Sequence, residues 1–508
     1  MPDSPANDAP APAILRLAVP APLRRTFDYL PPTPSAPDAG TPALQPGHAL
    51  RVPFGRREVT AVVLAVAGNA EDPDRELKAA VRLVDEQPLL PSALVDLLCW
   101  AADYYQHPVG EVFSAALPAA LRSGRGLPLD AWRLTLRGRG LAEGALRRAP
   151  SQARAVELLR QREHGHEELR AAGISTTVLR ELGNKRLIER CRREGMSRAP
   201  AELRETPPQL AAEQADALRA IDSRAGFACH LLEGITGSGK TEVYLQLIER
   251  CLQRGRQALV LIPEIGLTPQ TVARFAARFA APVVTLHSGL ADGERLAAWQ
   301  AARSGSAGIV IGTRSAILTP LARPGLLIID EEHDGSYRQQ DGFRYSARDL
   351  AVKRAQLEGT AVVLGSATPS LESLENVARG RYRHHQLRGR RAGGVLPELS
   401  TIDLRGLTLQ AGVSEALLAA IRDTVTVARR QVLLFLNRRG YAPTLQCHGC
   451  GWIAGCEHCD ARLTVHLRQR SLRCHHCGAR HALPAHCSAC GGTRLLTRGL
   501  GTEQAEET

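Results

Sequence analysis

The stretch Leu232–Thr241 has the sequence LEGITGSGKT, and its last eight residues fill every fixed position of the pattern G-x-x-x-x-G-K-[ST]. In this pattern the glycines let backbone N–H groups point at a β-phosphate, and the following helix turns the positive end of its dipole to the same anion. The flanking runs Phe227–Leu232 and Glu242–Cys251 predict the strand and helix that such a loop joins. The predicted phosphate-binding residues are Gly234, Ile235, Thr236, Gly237, Ser238, Gly239, Lys240 and Thr241.

Lys240 and Thr241 supply the two side chains that a nucleoside-triphosphate site requires. A lysine here places a charge on the β- and γ-phosphates, and the threonine hydroxyl can ligate Mg²⁺. Lysine is scarce, because only four of the 64 Lys and Arg residues are lysine. A glycine-rich turn without a ligand is the alternative interpretation, and the strand and helix around the loop favour an ATP site.

The composition indicates a multidomain protein with a polyanionic partner. At 508 residues and 44% hydrophobic content, the chain is expected to hold three or four packed domains. The net charge is +12, and residues 386–500 carry 16 Arg against six Asp or Glu, which favours a nucleic-acid surface over a solvated arginine-rich face. Residues 1–12 form an Ala/Pro/Asp tail that we expect to be disordered. With no targeting segment and no long apolar run, we expect a cytoplasmic protein without membrane contact.

The first domain is predicted as a small β domain over residues 13–120. Alternating apolar residues predict strands at Ile14–Val19 and within His48–Val66. Pro31–Pro46 lies between them and is too rich in Pro, Ala and Gly to pack, which predicts a mobile loop. Apolar residues at helical spacing predict a helix over Leu89–Tyr105.

A winged-helix domain is predicted over residues 121–205. Ser151–Gln161 has the pattern of an amphipathic helix, and Glu167–Ala172 and Ser175–Leu182 predict a helix, a turn and a helix. A strand is predicted at Arg186–Arg190. This order is typical of winged-helix DNA-binding domains, although a plain helical connector is an equal alternative.

Strands and helices alternate regularly over residues 206–387, which predicts a doubly wound parallel sheet. The predicted strands are Ala258–Ile262, Val283–Leu286, Gly308–Ile311, Leu326–Ile329 and Val362–Leu364, and the predicted helices are Thr268–Phe279, Asp292–Ala302, Ala347–Leu357 and Ser370–Ala378. Functional groups of such sheets lie at the carboxyl ends of strands. Asp330 and Glu331 follow one of these ends, where Asp330 can hold Mg²⁺ through water and Glu331 can polarise the water that attacks the γ-phosphate.

Eight of the 12 cysteines form four C-x-x-C pairs within residues 447–490. In a cytosolic chain such pairs indicate metal rather than disulfides, and two tetrahedral Cys₄ zinc sites would use all eight thiolates. A predicted hairpin over Leu463–Leu472 lets the inner pairs share one ion, which leaves the outer pairs for the other. The predicted ligands are Cys447, Cys450, Cys487 and Cys490 for the first zinc, and Cys456, Cys459, Cys474 and Cys477 for the second. His448, His458, His475 and His476 are expected at the surface or beside the ligands.

The ordered motifs of the central region resemble those of a superfamily 2 helicase. These motifs are Gly234–Thr241, Pro263–Gln270, Leu286–Leu290, Gly312–Ala316, Asp330–His333 and Gly365–Pro369. Thr26–Pro31, Val52–Gly55 and the cysteine cluster narrow the resemblance to bacterial replication-restart helicases, over nearly the whole chain. The resemblance implies a multidomain α/β protein with a RecA-like helicase lobe 1 over residues 206–387.

The resemblance also implies residues that contact DNA and nucleotide. Phe27, Asp28, Gly55 and Lys78 match a pocket for the 3′ end of a nascent leading strand, where a ring can stack on a base and a carboxylate can accept from the 3′-hydroxyl. From the sequence alone, Phe27 could equally be interpreted as a core residue, and Asp28 as a turn residue, without a role in DNA binding. Gln214 would contact adenine through its amide. The loop after the acids would sense single-stranded DNA through Tyr337, Arg338, Phe343, Arg344 and Tyr345.

A partial second helicase lobe, carrying the zinc region, is predicted over residues 388–508. Leu433–Tyr441 resembles motif IV of the family. After Gly499–Gln504 the chain stops before any segment that matches motifs V and VI, and motif VI carries the arginines that reach the γ-phosphate. We therefore expect the 508-residue chain to bind ATP and forked DNA, to hydrolyse ATP slowly and not to unwind DNA.

Two functions remain open at this point. The first is an ATP-dependent 3′-to-5′ DNA helicase that recognises and remodels abandoned replication forks and promotes primosome assembly and reloading of the replicative helicase. Its implied partners are forked and single-stranded DNA, primosome proteins and single-stranded DNA-binding protein, and a monomer is expected. The second is a fork-binding and zinc-binding scaffold that binds ATP without productive hydrolysis. A P-loop transporter ATPase is a distant third, since the chain lacks a Leu-Ser-Gly-Gly-Gln signature.

Overall fold

The structure is a computed structural model that describes most of the chain. The described residues are 13–33, 43–125, 131–191, 201–389, 398–403, 413–435 and 444–498, without positions 73, 75, 143, 224, 225, 460, 468 and 476. The predicted tail at 1–12, much of the predicted loop at 31–46, most of the motif IV segment, His476 and the segment 499–508 lie outside this set. Two compact units, Met1–Gly394 and Val395–Thr508, are described separately below.

The N-terminal domain is a five-stranded antiparallel sheet covered by helices. Its strands are β1 (Ile14–Ala18), β2 (Phe27–Tyr29), β3 (Ala49–Phe54), β4 (Arg57–Ala67) and β5 (Arg82–Leu83), and its helices are α1 (Ser92–Tyr104), α2 (Val109–Ala116) and α3 (Ala119–Arg122). The strand order is β2-β1-β4-β3-β5. A Cβ on Gly110 would lie 1.6 Å from the carbonyl oxygen of Val19, so only glycine lets α2 approach the end of β1 this closely.

A small domain of three strands and four helices follows. It contains β6 (Ala131–Leu134), α4 (Leu136–Arg139), α5 (Pro150–Gln161), β7 (His164–Gly165), α6 (His166–Ala171), α7 (Thr176–Asn184) and β8 (Ile188–Cys191). The strands pair in the order β7-β6-β8 around a core that includes Leu159, Leu169 and Leu179. The Ser175 hydroxyl accepts from the Val178 N–H and caps α7, so the helix, turn, helix and strand lie in the order that the sequence predicts.

The third domain is a seven-stranded sheet with every pair parallel, which confirms the predicted doubly wound fold. Its strands are β9 (Ala228–Gly234), β10 (Gln257–Leu261), β11 (Val283–Leu286), β12 (Ile309–Gly312), β13 (Pro324–Ile329), β14 (Ala361–Ser366) and β15 (Arg383–Leu387), in the order β11-β12-β10-β13-β14-β9-β15. Its helices are α8 (Ala212–Asp222), α9 (Lys240–Gln253), α10 (Pro269–Arg278), α11 (Asp292–Ser304), α12 (Ala347–Glu358) and α13 (Leu371–Ala378).

The N-terminal domain and the parallel-sheet domain share one hydrophobic core within the first unit. Helix α1 packs on α12, and the indole N–H of Trp299 donates to the carbonyl oxygen of Ala116 at 3.2 Å. Arg303 in α11 pairs with the buried Asp85 at 3.1 Å and also donates to the carbonyl oxygen of Pro88. These contacts hold the two domains as one packed body.

The second unit contains α14 (Glu415–Arg422) and two small antiparallel sheets. Strands β16 (Thr444–Cys447) and β20 (Leu495–Arg498) form one sheet, and β17 (Thr464–His466), β18 (Ser471–Arg473) and β19 (Arg480–Ala482) form the other. The β17–β18 pair is the predicted hairpin. A few buried apolar residues, including Leu445, Val465 and Leu472, form the small core shared by the two sheets of this unit.

Candidate nucleotide site, DNA pocket and metal centres

The predicted phosphate loop lies at the carboxyl end of β9, as the motif requires. Gly237 and Gly239 have φ values of 83° and 85°, a backbone region that favours glycine, and α9 begins directly at Lys240. The Lys240 side chain is buried, and its ammonium donates to the Gly234 carbonyl oxygen at 2.7 Å. The loop therefore presents its backbone and Lys240 to one concave space at the helix N-terminus.

Asp330 and Glu331 come from the neighbouring end of β13 and face the same space. The Lys240 Nζ lies 3.8 Å from a carboxylate oxygen of Glu331, and the Tyr244 hydroxyl donates to Asp330 at 3.1 Å. A cavity of about 400 Å³ is lined by Ile235 to Glu242 together with Arg274, Asp330 and Glu331. A second cavity of about 420 Å³ shares Thr241, Arg274, Asp330 and Glu331 with the first, and extends past Tyr244 and Phe275.

Opposing effects act on the pKa of Asp330, and Glu331 has an unusual backbone conformation. Burial raises the pKa of Asp330, and the Glu331 charge raises it further, while the Tyr244 hydrogen bond and the Lys240 charge lower it. Glu331 has a φ of 47°, a left-handed conformation that is strained for a residue with a side chain. Thr241 and Asp330 line the same cavities, and a hydroxyl with a carboxylate is a donor set that suits Mg²⁺.

Glu332 and His333 connect these acids to the segment after β14, a role that the sequence did not reveal. The Glu332 carboxylate is buried and accepts from the Ser370 N–H at 2.6 Å and from the Ser373 hydroxyl at 3.0 Å. Arg348 pairs with the same carboxylate at 3.1 Å. A ring nitrogen of His333 lies 2.7 Å from the Ser366 hydroxyl oxygen. A buried carboxylate needs such partners, so Glu332 ties β13 to the start of α13.

Gln214 lies beside the phosphate loop, but its amide is already engaged. The amide N–H donates to the Ser238 carbonyl oxygen at 2.7 Å, and the amide oxygen accepts from the Ala211 N–H at 2.9 Å. In this structure Gln214 therefore supports the loop and caps α8. Arg274 in α10 was missed by the sequence reasoning, although it is exposed and lines both nucleotide cavities. The available signal was the position of Arg274, one helical turn after Gln270 at the end of the motif Pro263–Gln270.

The four residues predicted to hold a DNA 3′ end line a single cavity of about 190 Å³ in the N-terminal domain. The cavity is lined by Arg25, Thr26, Phe27, Asp28, Tyr29, Pro53, Phe54, Gly55, Glu71, Asp72, Glu76, Leu77 and Lys78. The Phe27 and Phe54 rings meet edge to face at 5.3 Å, and the Arg25 guanidinium lies 4.8 Å from the Phe27 ring centre. The Asp28 carboxylate accepts from Arg16 at 3.2 Å and from the Glu71 N–H at 2.7 Å.

The residues after Asp330 and Glu331 that are predicted to contact DNA lie in two different environments. Tyr337, Phe343 and Tyr345 are buried, and the Tyr337 hydroxyl donates to the Asp330 carbonyl oxygen at 2.6 Å. Arg338 and Arg344 are exposed. The three aromatic rings therefore pack inside the protein in this structure, and only the two arginines are available to a nucleic acid.

The eight clustered cysteines form the two quartets that their spacing predicts. Within each quartet, all sulfurs lie within 4.8 Å of one another. The measured pairs are Cys447 to Cys490 at 3.7 Å, Cys450 to Cys487 at 3.6 Å, Cys456 to Cys477 at 3.5 Å and Cys459 to Cys474 at 3.5 Å. A tetrahedron of thiolates around zinc at ~2.3 Å has an edge of ~3.8 Å, so this spacing fits zinc.

The outer quartet also has a backbone suited to thiolates. Hydrogen bonds from the backbone N–H groups of Cys450 and Gly449, together with contacts to the sulfurs of Cys490 and Cys450, lower the pKa of Cys447 to about 7. Despite a hydrogen bond from the Trp452 N–H, contacts to the neighbouring sulfurs raise the pKa of Cys450 to about 12. Cys456 also lies in reach of His458 and His481, so these three residues form a smaller possible ligand group beside the second quartet.

Three family models match separate parts of the chain. Residues 16–118 match a 3′ DNA-binding domain, and residues 211–377 match a DEAD/DEAH box helicase. Residues 456–481 match the Cys-rich region domain of a DNA helicase. The three matched segments contain the DNA pocket, the nucleotide site and the inner cysteine quartet described above.

The chain is 44% identical to the replication restart protein PriA of Haemophilus influenzae over 509 residues, which covers 97% of this chain and 68% of that protein. The chain belongs to the PriA family. PriA of Bacillus subtilis is 32% identical over 96% of this chain and 69% of its own length. PriA of Chlamydia pneumoniae is 37% identical over 84% of this chain and 59% of its own length.

Family membership confirms the resemblance seen in the motifs. The PriA-type 3′ DNA-binding domain, the helicase domain and the Cys-rich region stand in the order that the sequence analysis predicts. Among the helices of the described residues, none is long and apolar enough to cross a membrane. The roles of individual residues in this PriA-family chain are taken up as proposals below.

Proposed function

We propose that this PriA-family chain supplies the ATP-binding and DNA-binding parts of an ATP-dependent 3′-to-5′ DNA helicase of replication restart, which recognises abandoned forks, remodels them and promotes reloading of the replicative helicase. One observation carries the proposal. A complete phosphate loop with its two acids and a cavity lined by Phe27, Asp28, Gly55 and Lys78 belong to one packed unit. Nucleotide chemistry and a DNA 3′ end can therefore be handled by the same body.

At the nucleotide site, each side chain has a distinct task. Lys240 and the loop N–H groups hold the β- and γ-phosphates, and the exposed Arg274 offers a second cation at the same cavity. Thr241 and Asp330 would hold Mg²⁺, which supplies charge neutralisation of the phosphates when bound. Glu331 orients the attacking water and accepts its proton. The two groups form an ion pair at 3.8 Å in this structure, so a bound γ-phosphate would separate them.

The adenine contact of Gln214 requires a rearrangement of the present hydrogen bonds. Its amide supports Ser238 of the loop, so a nucleotide that engages the amide would alter the loop at the same time. We propose that Gln214 acts first as a support of the phosphate loop. This role predicts that Gln214→Ala lowers the affinity for ATP and the affinity for GTP by the same factor.

The N-terminal cavity is suited to a strand end that carries a hydroxyl. Four carboxylates line it, from Asp28, Glu71, Asp72 and Glu76, against the cations of Arg25 and Lys78. These carboxylates would repel a terminal 3′-phosphate, whereas a 3′-hydroxyl can donate a hydrogen bond to one of them. The Phe27 ring is largely covered by its neighbours, so it forms the floor of the cavity.

Two further surfaces are assigned to DNA by proposal. Helix α7 exposes Thr176, Thr177 and Arg180 after the turn from α6, which is the face that a winged-helix domain presents to a groove. Arg338 and Arg344 would contact phosphates of a single strand at the nucleotide end of the sheet. Family resemblance adds primosome proteins and single-stranded DNA-binding protein as partners of a monomeric chain.

The metal centres are proposed as two structural Zn²⁺ sites. Each quartet offers four sulfurs at tetrahedral spacing, which leaves no open coordination position for catalysis. The core around these sites is small, so metal binding would supply much of the folding free energy of this region.

The test is the binding of labelled forks with and without a 3′-hydroxyl at the branch, followed by ATP hydrolysis with the same forks. The proposal expects tighter binding to the fork with the 3′ end, and hydrolysis that rises on DNA addition. A fork-binding chain whose ATP consumption stays at the background level would support the scaffold alternative instead.

A further inference from the structure

The last strand of the parallel sheet, β15, lies directly beside the phosphate loop. It pairs with β9 at the edge of the sheet, and the register places Leu387, the last residue of β15, opposite Gly234. A Cβ on Gly234 would lie 3.1 Å from the Leu387 Cβ and 2.4 Å from the Ser238 hydroxyl oxygen. Glycine at this position therefore lets the loop and the end of β15 lie this close together.

Polar side chains reinforce the pairing of β15 with β9. The carboxylate of Glu233, which precedes the loop, accepts from the Gln386 amide at 3.1 Å and lies 2.6 Å from a ring nitrogen of His384. The Arg388 guanidinium donates to the Gln386 amide oxygen at 2.8 Å. Two residues of β15 and the residue after it are thus linked to the strand that carries the loop.

The two residues after β15, Arg388 and Gly389, are held by an acid of α8. One carboxylate oxygen of Glu213 accepts from the Arg388 N–H at 2.7 Å and from the Gly389 N–H at 3.3 Å. These two residues, here called the exit segment, are the last described residues before the second unit, which begins at Val395. Glu213 therefore holds the start of the connection between the two units, and it does so through the backbone.

The same turn of α8 also contacts the phosphate loop. Gln214, the residue after Glu213, donates to the Ser238 carbonyl oxygen at 2.7 Å, and its amide oxygen accepts from the Ala211 N–H at 2.9 Å. The Gln214 side chain is buried, so a displacement of the loop at Ser238 would be passed to the first turn of the helix. That turn therefore contacts the loop through Gln214 and the exit segment through Glu213.

We propose that Glu213 is a positioning residue that couples a nucleotide in the phosphate loop to the exit segment. A bound triphosphate would fix the loop at Ser238 and, through Gln214, the first turn of α8. An ordered turn keeps the Glu213 oxygen at the exit segment, so nucleotide binding and a docked exit segment favour each other. By linkage, each raises the equilibrium constant of the other by the same factor. The inference rests on the proposed nucleotide site.

The test measures hydrogen–deuterium exchange of the Arg388 and Gly389 amides by mass spectrometry, with and without the ATP analogue AMP-PNP. Without nucleotide, these amides should exchange about 5- to 30-fold faster in Glu213→Ala than in the parent, because both lose their acceptor. AMP-PNP should slow the exchange about 5-fold or more in the parent and leave it unchanged in Glu213→Ala. Glu213→Gln keeps an acceptor oxygen and should retain the nucleotide effect, as should Asp216→Ala, the matched control from an exposed acid of the same helix.

The affinity for a fluorescent ATP analogue gives a second, independent readout. By charge alone, loss of an acid does not weaken the binding of a polyanion. The coupling predicts the opposite: Glu213→Ala binds the analogue more weakly, by the factor by which AMP-PNP slows exchange in the parent, and Glu213→Gln binds it as the parent does. Equal nucleotide effects on exchange in the parent and Glu213→Ala, or an unchanged affinity in Glu213→Ala, would overturn the coupling. A parent that binds no nucleotide would reject the nucleotide site on which the coupling rests.

Discussion

The hydroxyl of Tyr244 donates a hydrogen bond of 3.1 Å to the carboxylate of Asp330. This bond joins α9, which begins at the phosphate loop, to the acidic end of β13. A Cβ on Gly365 would lie 1.5 Å from the Tyr244 hydroxyl oxygen, so β14 must carry glycine to admit the phenol. The relative placement of Lys240, Thr241 and Asp330 therefore depends on a buried hydroxyl that touches three elements of the fold.

Replacing Tyr244 by Phe should shift the pH dependence of metal binding at Asp330. Burial raises the pKa of this carboxyl, and the Tyr244 hydrogen bond opposes that rise, so its removal raises the pKa further. A divalent cation needs the ionised carboxylate. Binding of Mn²⁺ with ATP, followed by electron paramagnetic resonance, should therefore fail at a higher pH in Tyr244→Phe than in the parent.

Asp330→Asn is the control for this shift, because the amide does not titrate. It should bind Mn²⁺ weakly at all pH values and unfold at a higher temperature at neutral pH. A carboxyl with a raised folded pKa destabilises the fold as pH rises through that pKa, and the amide removes this penalty. A Tyr244→Phe profile that overlays the parent, in a folded protein, would contradict the role of the hydroxyl.

Substitution of Asp28 by Ala should reduce the preference for a DNA 3′-hydroxyl. The Asp28 carboxylate is fixed by Arg16 and by the Glu71 N–H in the N-terminal cavity, so it can accept from a strand end without reordering. We expect the parent to bind a 3′-hydroxyl fork more tightly than a 3′-phosphate fork, and the variant to bind both alike. Glu86→Ala, an exposed acid of the same domain, should keep the difference.

Arg278 and Glu242 form a buried pair with two hydrogen bonds, at 3.0 and 3.1 Å, between α10 and α9. Arg278→Met alone should lower the free energy of unfolding by about 3–5 kcal/mol, because it leaves the Glu242 carboxylate buried without a cation. The double variant Arg278→Met with Glu242→Leu should recover most of that loss. Denaturant unfolding checks both, and Arg379→Met, from an exposed pair with Glu375, should change stability by less than ~1 kcal/mol.

Cys474→Ala should release one zinc per chain and unfold the inner ribbon. The binding free energy of a structural zinc is also folding free energy, on the order of 10 kcal/mol. Metal analysis is expected to give two zinc in the parent, one in Cys474→Ala and two in His481→Ala. If His481→Ala loses as much zinc as the cysteine variant, the ligand group of Cys456, His458 and His481 holds the ion instead. If the parent contained iron, or no metal, both assignments of zinc ligands would be rejected.

The sequence predicted those features that depend on local pattern. The phosphate loop, the parallel strands and the cysteine quartets follow from spacing along the chain, and the structure contains each of them. Strand β15 was missed because its residues, RHHQL, are mostly polar and only its position beside β9 makes it a strand.

Features that depend on packing between distant segments were out of reach. The resemblance to a helicase family implied that the loop after Glu331 senses single-stranded DNA, but its three aromatic rings are buried, and Phe343 packs against Tyr105, the residue after α1. Glu332 and Gln214 likewise have partners 38 and 24 residues away in the chain. The hydrophobic periodicity of a sequence does not indicate hydrogen bonds between distant segments, so the roles of Glu332 and Gln214 could be found only from the structure.

The central claim is that one packed body couples ATP chemistry at Lys240 and Glu331 to DNA. Its most direct test is the rate of ATP hydrolysis by the parent chain, with and without forked DNA, beside Lys240→Ala and Glu331→Gln. We predict that DNA raises the parent rate, that both variants abolish hydrolysis, and that fork binding by both stays within a few-fold of the parent. A parent rate that DNA does not change, or one that survives in both variants, would contradict the account.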